Sequence, residues 1–235
     1  MSDKHLSSQF DAALNLLSSR LLEMGGLVES QIAATLELLN AFDETVAGNI
    51  RDNERRLNRM EIEIDDELNN VIARRQPTAR DLRLLMAASK CVTNLERAGD
   101  EARKIAKRLA RIDESGTAAT VQVVELKNAG EMALTILHRA LDAFARMDTA
   151  AAVQIMQDDR AIDTEFGAFV QRLIGDMNEA PRTISTGLDY LFVAKAFERI
   201  GDHAVNIAEF VIYIVKGRDV RHLAFDRLEA EVLRN

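Results

Sequence analysis

The chain has no tryptophan, a single cysteine and two prolines in 235 residues, and aromatic side chains make up only 5% of it. One cysteine, Cys91, cannot form an intrachain disulfide framework. It fits a reducing compartment and, on an apolar helical face, reads as a small core residue rather than a reactive thiol. No apolar run approaches the roughly 20 residues of a membrane span; the best candidate, Phe210 to Val215, is far too short. Positive charge is in deficit as well, with 30 Lys and Arg against 38 Asp and Glu for a net charge of −8. That balance excludes non-specific nucleic-acid binding, which needs an excess of cations to neutralise phosphates. Met1 to Gln9 are polar and hold no signal-peptide hydrophobic stretch. Catalytic signatures are missing too. There is no glycine-rich phosphate loop, no Glu-x-x-His of the di-iron bundles, and no serine with a base beside it. These absences together predict a cytoplasmic chain that is not an enzyme.

What is present is helix. A hydrophobic share of 47%, rich in Ala and Leu, predicts an all-α protein with room for one large domain or two small ones. Leu14, Leu17, Leu21, Met24, Val28, Ile32, Leu36 and Leu39 recur at three- and four-residue steps and predict one long first helix. A second starts near Glu44 and is broken by Arg74-Arg75-Gln76-Pro77-Thr78. Thr78 and Asp81 approximate a capping box for the third. Asp113 to Thr117 is the best linker in the chain. Beyond it three more helices are expected, over roughly 118–146, 149–177 and 183–216.

The second set repeats the first. Leu95-Glu96-Arg97-Ala98-Gly99-Asp100 returns 102 positions later as Phe197-Glu198-Arg199-Ile200-Gly201-Asp202, and Ala41-Phe42 returns as Ala143-Phe144 at the same offset. Both prolines, Pro77 and Pro181, stand at the turn before a motif helix. The expected architecture is therefore two tandem homologous antiparallel three-helix bundles, residues 1–115 and 116–217, with a tail over 218–235. Helices of this length favour a rod over a ball.

Each motif keeps a Glu-x-x-x-Asp pair, two carboxylates about one turn apart on one helix face. Each also keeps a glycine that costs about 1 kcal/mol relative to alanine inside a helix, which points to close backbone approach. Asp159 and Asp163 form a second acidic pair on the helix expected to run antiparallel to Glu198 and Asp202. The first half offers Glu54 and Asn58 in the corresponding place if an offset of 105 is used. Converging carboxylates repel unless a cation neutralises them, and paired hard oxygens suit Mg, Ca, Mn or Fe, with water completing the shell. The candidate metal ligands are thus Glu198, Asp202, Asp159 and Asp163 in one site and Glu96, Asp100 and Glu54 in the other. Asn58 and Lys104 should make the first-half site the weaker. The alternative is a row of solvated carboxylates paired with Arg97, Arg199 and Arg160. Glu61 and Asp65 fail the repeat test at that offset and read as solvated surface. His203 lies about 100° round the helix from Asp202 and reads as a surface or interface residue. Asp219 and His222 have ligand-like spacing but no partner cluster.

The two motifs, together with Arg74-Arg75-Gln76-Pro77-Thr78, Leu141 to Asp148, Val215-Lys216-Gly217 and Arg221-His222, resemble the PhoU family of phosphate-transport regulators across nearly the whole chain. The resemblance implies a cytoplasmic, often dimeric, two-bundle adaptor. Such an adaptor would restrain the phosphate-starvation response by contacting a sensor histidine kinase and the ATPase subunit of the phosphate ABC importer, reaching the membrane only through those partners. It also implies metal ions at the Glu-x-x-x-Asp motifs, divalent or trivalent, among Mg, Mn, Fe and Zn. A metal-free helical scaffold and a metal-dependent hydrolase on a helical bundle are the competing readings.

Overall fold

The computed structural model describes residues 8–77, 79–116, 123–221 and 223. Among them the chain forms six α-helices and no strand: α1 (Ser8–Asn40), α2 (Glu44–Arg75), α3 (Ala79–Glu114), α4 (Val124–Arg146), α5 (Thr149–Glu179) and α6 (Ile184–Lys216). Pro181–Thr183 form a single 3₁₀ turn that feeds α6. The boundaries have local causes. Asp43 caps α2 by accepting from the backbone N–H groups of Thr45 and Val46, and Asp148 caps α5 through those of Ala150 and Ala151. Gln76 closes α2 in the left-handed conformation at φ 45°, directly before Pro77, and Gly217 closes α6 at φ 72°. Thr78, residues 118–122 and His222 lie outside the described residues, so the proposed capping box, the start expected for the fourth helix and the Asp219–His222 spacing are not placed.

Both halves are antiparallel three-helix bundles. Leu57 on α2 stands against Gly99 on α3, and Asp159 on α5 stands against Gly201 on α6. The bundles lie side by side. Arg108 of α3 meets Asp189 of α6, and Arg199 of α6 meets Glu101 of α3. This register runs α3 and α6 antiparallel and brings Gly99 and Gly201 to the same level, where the repeat axis crosses. Gly25 packs on Leu141, and Gly130 on Leu36, which joins α1 to α4 in the same way.

This arrangement corrects the expectation of a rod. At 1.5 Å per residue the long helices span about 50 Å, but the molecule is two bundles wide. The reason is visible on α3 and α6. Their buried residues include a series of alanines and glycines (Ala87, Ala88, Ala98, Gly99, Ala102 and Ala106 on α3) that widens the apolar face enough to serve two neighbours. The core is accordingly one continuous cluster through both halves. Cys91 is fully buried within it, and burial pushes its thiol well above the usual range, as a core cysteine requires.

Candidate carboxylate site

The second-half quartet is gathered where α5 crosses α6. Asp159 is half-buried, with Oδ1 only 2.7 Å from where a Cβ on Gly201 would sit. An alanine there would push the carboxylate away, so this glycine is what admits it. Burial first, then the neighbouring charges of Asp163, Asp202 and Glu198, push the Asp159 carboxyl up to about 7. Asp202 is raised in the same way, by desolvation and then by Glu198, although its side chain reaches solvent. Lys195 is bonded into this group, its Nζ 2.6 Å from Glu198 Oε1, and the charge of Arg199 also bears on Asp202. The Lys195 ammonium also lies 2.6 Å from the other oxygen, Glu198 Oε2, so it straddles the carboxylate.

The first-half site is built differently. Glu96 is raised by desolvation and then by Glu61, Asp100 and Glu54, which brings those four residues into one neighbourhood. Its cations are closer and more numerous. Lys104 Nζ lies 2.7 Å from Asp100 and 2.9 Å from Glu101, and Arg103 bonds Asp100 and stands 3.7 Å from Glu54. Burial opposes ionisation of Asp100, but the bonds from Lys104 and Arg103 outweigh it and hold its carboxyl below the usual range. Asn58 donates to Glu54 Oε1 at 3.1 Å.

These contacts revise the register read from the sequence. Leu57, not Glu54, occupies the place of Asp159, since each abuts the motif glycine of its own half. The offset is then 102 throughout, and Glu61 becomes the counterpart of Asp163. Glu61 is not merely solvated surface: the offset of 105 is about one helical turn too long, and Glu61 is the neighbouring charge that most raises Glu96. The two sites differ in their cations rather than in their number of carboxylates. Both sites muster four carboxylates, but the first carries two bonded cations where the second has Val205 and Asn206 at the equivalent positions. Among the described residues, no three His, Cys, Asp or Glu side chains are gathered closely enough to hold one ion as they stand.

Between the two sites, α3 and α6 enclose an open cavity of about 650 Å³ lined by Arg97, Glu101, Lys104, Arg199, His203 and Asn206 among others. His203 is an interface residue, its Nδ1 3.0 Å from Asn94 Oδ1, and Asn206 donates to the same oxygen at 2.9 Å. Asn94 spends its amide on the carbonyl of Lys90, so Nδ1 of His203 is the donor and the neutral tautomer is set. Burial chiefly, with Arg97, Arg199 and Lys104 adding to it against Glu101, brings the imidazole down to about 4. Sequence reasoning missed the ring's partner because Asn94 is remote in sequence and its second-half equivalent is Ala196.

A family model for the PhoU domain matches the chain twice, over residues 21–109 and 126–211. A phosphate-specific transport system accessory protein PhoU homolog from Burkholderia sp is 54% identical over 99% of this chain and 100% of its own length. The Escherichia coli phosphate-specific transport system accessory protein PhoU is 40% identical over 97% of this chain and 93% of its own. The crystal structure of PhoU from Pseudomonas aeruginosa superposes with a TM-score of 0.85 at 42% identity, covering 89% of this chain and all of that one. A phosphate transport system regulatory protein PhoU from Streptococcus pneumoniae gives 0.82 at 28% identity, over 90% of this chain and 99% of that one. With its two repeats, its six-helix architecture and relatives of this identity over their full length, the chain belongs to the PhoU family.

Proposed function

We infer that this chain is an accessory protein of phosphate-specific transport that acts as a cytoplasmic adaptor and restrains the phosphate-starvation response when phosphate is plentiful. The observation that carries the reading is likeness over whole chains, 99% of this one and 100% of the Burkholderia relative, to proteins named for that system. The geometry is compatible with it. Long helices present wide polar faces, and neither carboxylate site has a nucleophile, base and oxyanion donors arranged together. The partners proposed are a sensor histidine kinase and the ATPase subunit of the importer, engaged by a homodimer.

A deletion strain should keep phosphate-starvation genes expressed in phosphate-rich medium. A reporter fusion to one such promoter, measured after growth at high and low phosphate, tests this. Normal repression at high phosphate in the deletion strain would remove the regulatory role.

We further propose that the carboxylate sites take hard cations, with Asp159, Asp163, Glu198 and Asp202 the stronger set. The donor chemistry fits: all ligands are oxygen, and Asp159 is buried and crowded by the like charges of Asp163, Asp202 and Glu198. A bound divalent ion would supply the positive charge that this cluster lacks. The chain's own residues then bind through carboxylate pairs, with water filling the remaining positions. At the first site Arg103 and Lys104 already do part of that work.

A further inference from the structure

The N-terminal half of α6 exposes large apolar side chains in a row, Ile184 at 44%, Leu188 at 44% and Phe192 at 50% of their full surface. They stand four residues apart, so they form one ridge along the helix. The repeat sets this ridge apart from chance exposure. At the same offset of 102, Leu82 and Met86 of α3 are also exposed, at 39% and 46%. What differs between the copies is charge. Beside the α6 ridge runs the stretch Lys104-Ile105-Ala106-Lys107-Arg108-Leu109-Ala110-Arg111 of α3, which has four cations and no acid in a chain whose net charge is −8. The equivalent stretch of α6, Asn206 to Tyr213, has no cation and carries Glu209.

The basic stretch and the ridge are one surface. The Arg108 guanidinium lies over the Phe192 ring at 4.3 Å from its centroid. Arg108 and Arg111 stand 2.7 and 3.6 Å from the same carboxylate, Asp189, so two cations share one charge. A notch of about 190 Å³ opens between them, lined by Phe192, Arg108, Lys104, Lys195 and Arg199, with Glu101 the one acid. A protein of this acidity gains nothing from a solvent-facing apolar ridge beside concentrated positive charge, unless something anionic and apolar covers both.

We propose that this face of α3 and α6 docks an acidic amphipathic helix of a partner protein. Apolar residues of that helix at i, i+4 and i+8 would lie along Ile184, Leu188 and Phe192, and its Asp and Glu residues would face Lys107, Arg108 and Arg111. The notch favours a protein segment over a lipid surface, because it admits one side chain into depth where a bilayer offers only a plane. The proposal rests on the adaptor reading solely for the existence of a protein partner. The face adjoins the carboxylate sites through Lys104 and Lys195, but its ridge and the outer cations Lys107, Arg108 and Arg111 stand apart from them.

The test is fluorescence anisotropy of a labelled synthetic helix with Leu at i, i+4 and i+8 and Glu on its flanks, titrated with the full chain. Its controls are a Lys-flanked twin and vesicles of phosphatidylcholine with phosphatidylserine. The Glu-flanked helix should bind with a Kd of about 10 µM, weaken as salt rises, and lose about tenfold on Phe192→Ser and on Lys107→Glu. Both positions are exposed, and an unchanged thermal midpoint in each variant confirms that the fold is kept. Equal binding of the Lys-flanked twin, or binding indifferent to both variants, overturns the proposal. So does vesicle binding that both variants abolish while neither peptide binds, which assigns the face to membrane instead. None of these outcomes depends on whether the deletion strain is derepressed, so the two readings fail separately.

Discussion

Replacing Asp159 by asparagine should stabilise the protein at pH 8 and leave it unchanged at pH 4. The native carboxyl is pushed up to about 7, whereas an unfolded aspartate titrates near 3.9. Between those values the folded chain holds a proton that the unfolded chain has lost. Stability contributed by this group is therefore full below about pH 4 and falls as pH rises through 7. Asparagine removes the loss. A shift of this size corresponds to about 4 kcal/mol unscreened, at 1.36 kcal/mol per pKa unit. The side chain is only half-buried, so solvent screening reduces it to ~1–2 kcal/mol, or roughly 3–6 °C in a domain of this size. His203 and Glu209 are also displaced, down to about 4 and up to about 7 respectively, mainly by burial. They are common to both proteins and cancel in the difference. Thermal melts of the two proteins from pH 4 to pH 8 measure it. A variant no more stable than wild type at pH 8 would mean that burial and the neighbouring carboxylates do not raise Asp159 as described.

Gly130→Ala should destabilise where Gly167→Ala stabilises, although both positions lie inside helices and alanine is the better helix former at each. A Cβ on Gly130 would stand 2.5 Å from Leu36 Cδ2 and 2.8 Å from two ring atoms of Phe197, a side chain with no exposed surface. Leu36 can turn its methyl away, but the ring is locked between helices, so α4 must back off from α1 and α6 together. Overpacking of this kind costs ~1–3 kcal/mol and outweighs the ~1 kcal/mol gained in propensity. Gly167 on α5 has nothing within 4 Å of its would-be Cβ, so alanine there keeps the gain of ~0.5–1 kcal/mol. Urea denaturation of both variants reads the two signs directly. Stabilisation by Gly130→Ala would show that α4 is not pinned between the halves as described.

Much of this was legible in the residues. Apolar spacing located all six helices, the paired prolines located the turns, and the costly motif glycines announced a close approach, which Leu57 and Asp159 supply. The side-by-side docking was not legible, because runs of Ala and Gly on α3 and α6 look alike whether one helix or two lie against them. Glu61 was lost for a narrower reason. Matching acidic pairs by charge alone selected Glu54 for Asp159, one turn out of register, whereas the packing of Leu57 on Gly99 fixes the alignment. Apolar residues, which have no choice of environment, were the safer guide to register than charged ones.

Titration of manganese into the wild type, Asp202→Asn and Asp100→Asn tests the second-half cation site most directly, followed by calorimetry and by the thermal midpoint at pH 8. The first site already holds Arg103 and Lys104 on Asp100, while in the second the bonded ammonium of Lys195 sits on Glu198. Wild type should bind the ion and gain thermal stability. Asp202→Asn should lose most of that binding and gain, while Asp100→Asn keeps most of both. Equal losses in the two variants would contradict the asymmetry, and no heat and no stabilisation in the wild type would return every one of these carboxylates to a solvated acidic face.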